Sequence, residues 1–259
     1  MTLRMRDEVV IVTGSTSGLG REIATLFAEQ GASVVVSGRR VDAGEAIVTG
    51  LARAPGANHL FVASDLTTPE GRETLVNRAV AQFGRLTVLV NNAVSPTAIA
   101  RDGVVTAIDH ELWHEMLSVT LIAAAEMCRL AIPHLIDAGG GSIVNVSAKS
   151  ASLARPGQAA YSAAKAGMNA LGRSIAADYS RQGVRCNALQ PGYIIHDGRD
   201  AGMTDARRAE LEGMQLTRLA TARDVALAAL FLASRESEVI TGITLPVDGG
   251  STAVRGRLL

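Results

Sequence analysis

The chain has 259 residues, 47% of them hydrophobic and only 3% aromatic, a length near the upper limit for a single hydrophobic core. Its 25 basic and 25 acidic residues give a formal charge of zero, so no field of one sign exists to capture nucleic acid or an anionic membrane. The expected partner is a small molecule, and the scarcity of rings argues against base stacking.

The first strong signal is Val9–Val12, a continuous apolar run closed by Gly14, which predicts a strand buried on both faces. From Gly18 the period changes. Ile23, Leu26 and Phe27 recur at helical spacing until Gly31 ends the pattern. Further strands are expected at 33–37, 60–63, 86–90, 142–147, 184–189 and 243–247, and helices at 70–83, 112–132 and 159–182, among others. This alternation predicts an α/β, single-domain Rossmann fold: a doubly wound, seven-stranded parallel sheet with helices on both faces. No repeat, linker or low-complexity tract divides residues 1–259. One long irregular stretch, 192–215, reads either as a substrate lid or as a surface loop.

No apolar run approaches the ~20 residues needed to span a bilayer. The N-terminal residues carry charges of both signs without a signal-peptide core, so a cytoplasmic location is expected. Cys128 and Cys186 then read as buried thiols rather than a disulfide.

Two motifs carry chemistry. Thr13-Gly14-Ser15-Thr16-Ser17-Gly18-Leu19-Gly20 joins the first strand to the first helix. Its glycines permit a tight turn and leave a helix N-terminus free to hold a phosphate. At the tip of the second strand the chain reads Ser37-Gly38-Arg39-Arg40, with no carboxylate to bond a ribose 2′-hydroxyl and two guanidiniums suited to a 2′-phosphate. NADP(H) is the favoured cofactor, with NAD(H) as the alternative. In the middle of the chain Tyr161 and Lys165 stand four apart on one helix face. A free tyrosine has a pKa of about 10, and an adjacent ammonium lowers it toward the range useful for proton transfer.

With Asp65 after the third strand, Asn91-Asn92-Ala93 after the fourth, Pro191-Gly192 and the closing Val247-Asp248-Gly249-Gly250, the whole chain resembles the short-chain dehydrogenase/reductase family. The resemblance implies an NAD(P)(H)-dependent oxidoreductase that interconverts a ketone and a secondary alcohol on a small organic substrate, as a homotetramer or homodimer. It implies that Gly14, Ser15, Ser17, Gly18, Leu19 and Gly20 cradle the pyrophosphate. Asp65 and Leu66 would flank the adenine, and Asn91 and Ala93 its ribose. Tyr161 would be the proton donor or acceptor. Lys165 would hold the nicotinamide ribose and lower the Tyr161 pKa, and Pro191, Gly192 and Ile194 would border the nicotinamide.

Four positions depart from the family pattern. Val94 follows Asn-Asn-Ala where Gly is usual, and Thr120 stands in place of the helix asparagine. Ala148 occupies the place of the catalytic serine, thirteen residues before Tyr161, and His196 that of the threonine in the nicotinamide loop. Ser147 is the nearest substitute for the missing serine, though neighbours on an ideal strand point to opposite faces. Ser150 and Ser152 on the following loop are alternatives. Ala148 and His196 are expected to face the substrate. The concurrent changes at Thr120, Ala148 and His196 give the alternative of a catalytically weak nucleotide-binding subunit or sensor on the same fold. His110 and His114 have the spacing of zinc ligands but no third ligand, so no metal is expected.

Overall fold

The computed structural model describes residues 3–195 and 200–254. β1 (Val9–Val12) consists of four β-branched residues, all buried. Side-chain alternation sorts them: Val10 and Val12 enter one core, Val9 and Ile11 the other. There follow α1 (Gly18–Glu29), β2 (Ser33–Gly38), α2 (Val41–Gly50), β3 (His59–Ala63), α3 (Pro69–Phe83) and β4 (Val88–Asn91). A short helix α4 (Pro96–Arg101), then α5 (His110–Leu117), a π-helical turn (Ser118–Ile122) and α6 (Ala123–Asp137) lead to β5 (Gly141–Val146). The described chain continues through α7 (Ala159–Tyr179), β6 (Val184–Pro191), β7 (Ile194–Ile195), α8 (Asp205–Glu212), β8 (Ala220–Thr221), α9 (Ala222–Ala233) and β9 (Thr244–Val247).

Seven strands form one parallel sheet in the order β3-β2-β1-β4-β5-β6-β9, as the alternation predicted. Ile23, Leu26 and Phe27 of α1 pack with Val225 and Leu230 of α9 on one face. Leu75 of α3, Met127 of α6 and Ile175 of α7 cover the other. The winding reverses between β1 and β4, which opens a crevice at the carboxyl ends of the strands. Local chemistry sets the helix ends: Thr68 caps α3 ahead of Pro69, Gly84 stops it in the left-handed region, and Thr221 with Asp224 forms a capping box on α9.

Three expectations need correction. The stretch 192–215 is not wholly irregular, since it holds β7, paired with β8, and the helix α8. α8 begins at the Thr204 cap and is almost all exposed, with only Leu211 buried, so it shows no apolar periodicity. The helix expected over 112–132 starts earlier, where Asp109 Oδ1 accepts from Leu112 N at 2.7 Å, and the π turn interrupts it. Finally, His110–Asp137 contains a window of mean hydropathy 1.5, long and apolar enough to cross a membrane. Within this fold its apolar side chains Met127, Ala131 and Leu135 are buried against the sheet.

Candidate active site

Loops following β1 to β6 line one cleft of about 1450 Å³. The glycine loop forms its floor. Gly14 and Gly18 have φ of +62° and +54°, conformations that an L side chain resists. A Cβ on Gly14 would lie 2.9 Å from Ala93 Cα, and one on Gly20 2.5 Å from the Gly14 carbonyl. The Ser17 side chain does not cap α1 and no acidic residue sits in its first turn. The N–H groups of Gly18, Leu19 and Gly20 therefore have no intrahelical acceptor and suit an anion.

Neighbouring strands lock this loop. Thr13 Oγ1 accepts from Asn92 N at 2.9 Å and Ala93 N at 3.1 Å, while Asn92 Nδ2 donates to the Thr13 and Gly14 carbonyls. Ser15 faces inward: its hydroxyl donates to the Val12 carbonyl at 2.7 Å and accepts from Ser37 N at 2.9 Å. Asn91 is also turned inside, donating to Asn145 Oδ1 at 2.9 Å and to Cys128 Sγ at 3.3 Å. Asn92 and Ala93, not Asn91, line the cleft. The adjacent asparagines carried no signal in the sequence to tell which one faces it.

At one end of the cleft stand Arg39 and Arg40. Arg40 Nη2 donates to the Thr16 carbonyl at 3.3 Å. Asp65 and Leu66 line the same end. Two hydrogen bonds from Thr67 hold the Asp65 carboxyl below its usual range, helped by the nearby charge of Arg39. The close-approach glycines, the open helix N-terminus and the two guanidiniums together fit a phosphorylated dinucleotide.

At the other end α7 presents Tyr161 and Lys165. Lys165 is 1% exposed, its Nζ donates to the Val146 carbonyl at 2.5 Å, and it lies 5.8 Å from the centre of the Tyr161 ring. Burial pushes the Lys165 ammonium down to about 7 and the Tyr161 phenol up to about 12. The resemblance implied a lowered Tyr161 pKa; here burial raises it instead, because desolvation disfavours the phenolate. The N-terminus of α7 is anchored from a distance. Asp102 accepts from Ala160 N at 3.2 Å and Tyr161 N at 2.9 Å, and the Gly103 carbonyl accepts from Ala159 N.

Ser147, Ala148, Lys149 and Ser150 border the cleft beside this pair. Ser147 is buried and donates to the Lys165 carbonyl at 3.3 Å. Ser152 donates to Gln190 Oε1 at 2.7 Å, and Lys149 Nζ to Ser251 Oγ at 2.8 Å. The Ser150 hydroxyl is enclosed and has no hydrogen-bond partner among the described residues. Thr120 is buried with its hydroxyl 3.9 Å from Met116 Sδ and does not line the cleft. Pro191, Gly192 and Ile194 do line it. His196 lies outside the described residues. The rings of His110 and His114 are 6.5 Å apart, and among the described residues no three potential ligands cluster.

Comparison with known proteins finds relatives along nearly the whole chain. A family model described as enoyl-(acyl carrier protein) reductase matches residues 14–252. A cis-4-hydroxycyclohexanecarboxylate dehydrogenase of Sinomonas cyclohexanicum is 38% identical over 96% of this chain and 98% of its own. A 3-oxoacyl-(acyl-carrier-protein) reductase of Chlamydia muridarum is 35% identical over 94% and 97%. A crystal structure from Burkholderia xenovorans, described as a short-chain dehydrogenase/reductase, superposes with a TM-score of 0.87 at 35% identity, covering 98% of this chain and 99% of the other.

Proposed function

The chain belongs to the short-chain dehydrogenase/reductase family and is an oxidoreductase of that type, and on this premise we propose that Tyr161 is its proton donor and acceptor and NADP(H) its preferred cofactor. The single observation that carries the reading is the shared cleft. Tyr161 and Lys165 open on the same space as the glycine loop, with Arg39 and Arg40 at its far end and no carboxylate at the tip of β2.

When bound, the nicotinamide supplies or accepts the hydride. The N–H groups at the start of α1 hold the pyrophosphate. Arg39 and Arg40 offer planar forks to a 2′-phosphate, and Lys165 holds a ribose hydroxyl. The Tyr161 O–H donates its proton to the substrate oxygen in reduction and recovers one in oxidation. A phenol pushed up to about 12 is protonated throughout the neutral range, the state a donor needs.

Purified protein should consume NADPH with a cyclic or acyl ketone faster than it consumes NADH. Tyr161→Phe should abolish that turnover while leaving NADPH affinity intact. Unchanged turnover in the variant would overturn the role of Tyr161, and a preference for NADH would overturn that of the arginines. A second reading, a nucleotide-binding subunit with little activity, draws on Ala148 and on Thr120, whose hydroxyl is turned away from the cleft. Tight NADPH binding with no turnover of any ketone would favour it. We further read residues 1–259 as one domain with a lid at 192–215, working in the cytoplasm as a homotetramer or homodimer.

A further inference from the structure

Reducing a carbonyl develops negative charge on its oxygen, and the Tyr161 O–H provides one hydrogen bond to it. A second donor held about 2.7–3.1 Å from the developing oxyanion contributes roughly 10²–10³ in rate. Ala148, which borders the cleft beside Tyr161, has only a methyl group.

We propose that Ser150 is this second donor, its hydroxyl bonding the reacting oxygen of the substrate. The role rests on the ketone/alcohol reading above and deepens it. Val146 closes β5, and four polar side chains follow it closely: Ser147, Lys149, Ser150 and Ser152. Three of them are engaged. Ser147 is bonded to the Lys165 carbonyl, Ser152 to Gln190, and Lys149 to Ser251, which is itself bonded to Asp248. Of the four, Ser150 alone lacks a side-chain partner among the described residues, and it borders the cleft that holds Tyr161.

An enclosed hydroxyl with no partner is unfavourable and calls for a physical reason. A substrate oxygen supplies one. The Ser150 backbone sits in a fixed turn, since Ala151 N donates to the Ala148 carbonyl at 2.9 Å, and Ser152 N and Leu153 N donate to the Lys149 carbonyl at 3.1 and 3.0 Å. Ser150 itself lines the cleft, and rotation about χ1, the one torsion its side chain has, moves Oγ between staggered rotamers on a fast timescale. Ser150 keeps its own proton throughout. The proton that is transferred is that of Tyr161.

The test compares wild type, Ser150→Ala, Ala148→Ser and the double variant Ala148→Ser/Ser150→Ala, by kcat for a ketone and by NADPH affinity. Ser150→Ala should lower kcat by roughly 10²–10³ while NADPH affinity stays within about twofold. The double variant should recover at least about tenfold, because it returns a hydroxyl to a nearby position on the same turn, whereas Ala148→Ser alone should leave kcat within about twofold, since Ser150 already supplies the donor. Unchanged kcat in Ser150→Ala, failure of the rescue, or loss of NADPH affinity together with activity would each overturn the proposal. A wild type that binds NADPH but turns over no ketone would overturn the underlying reading and this role with it. A working wild type with an indifferent Ser150→Ala overturns this role alone.

Discussion

Lys165 is the residue whose burial has the clearest thermodynamic consequence. Desolvation lowers its pKa from 10.5 to about 7 in the folded, ligand-free protein, whereas the unfolded chain keeps the ordinary value. Between those limits the unfolded state binds the extra proton, so stability rises with pH and is lost as pH falls toward 7. Tyr161 and Cys128, both pushed up to about 12 by burial, act in the opposite sense at higher pH. The clean window is therefore pH 7 to 9. Ligand-free wild type should gain melting temperature across it, and Lys165→Met should show a flatter profile. Parallel profiles, measured by thermal unfolding, would show that Lys165 is charged and compensated in the fold.

At the scale of elements, the site depends on how α7 begins. Gln158, its N-cap residue, makes no side-chain cap. Asp102, from the loop after α4, accepts from two of its first N–H groups instead, one of them that of Tyr161. Losing a side-chain cap costs about 1 kcal/mol, and an anion at a helix N-terminus adds about 0.3–1 kcal/mol. Asp102→Ala should lower stability by about 1–2 kcal/mol in denaturant titration and reduce turnover, with Asp102→Asn intermediate because one acceptor remains. An Asp102→Ala protein with wild-type stability would contradict the cap. This contact joins residues 58 and 59 apart in sequence, so no local pattern could announce it. The strands were legible because a doubly covered sheet demands uninterrupted apolar runs such as Val9–Val12. α8 was not, because a helix with one buried side chain leaves no stripe. The same holds within the site. Spacing singled out Tyr161 and Lys165 and the family resemblance the gap at Ala148, but the choice among Ser147, Ser150 and Ser152 turns on which partner each hydroxyl meets.

Across the whole molecule, the cleft draws its lining from the ends of β1 to β6, six adjacent strands of the seven-stranded sheet. A dinucleotide bound there contacts both halves of the winding and cannot bind once the strands separate. Its binding energy is then folding energy for the entire sheet. At one hundred times its Kd such a ligand adds about 2.7 kcal/mol, and for a chain of this size each kcal/mol moves the midpoint by roughly 2–4 °C. NADPH at that excess should therefore raise the melting temperature by roughly 5–11 °C, in one transition that moves as a unit. NADH at the same concentration should shift it less, because Arg39 and Arg40 then meet no 2′-phosphate. Equal shifts by the two cofactors, followed by scanning calorimetry, would remove the arginines from cofactor choice. Two transitions of which only one moves would show that residues 1–259 do not unfold as one domain.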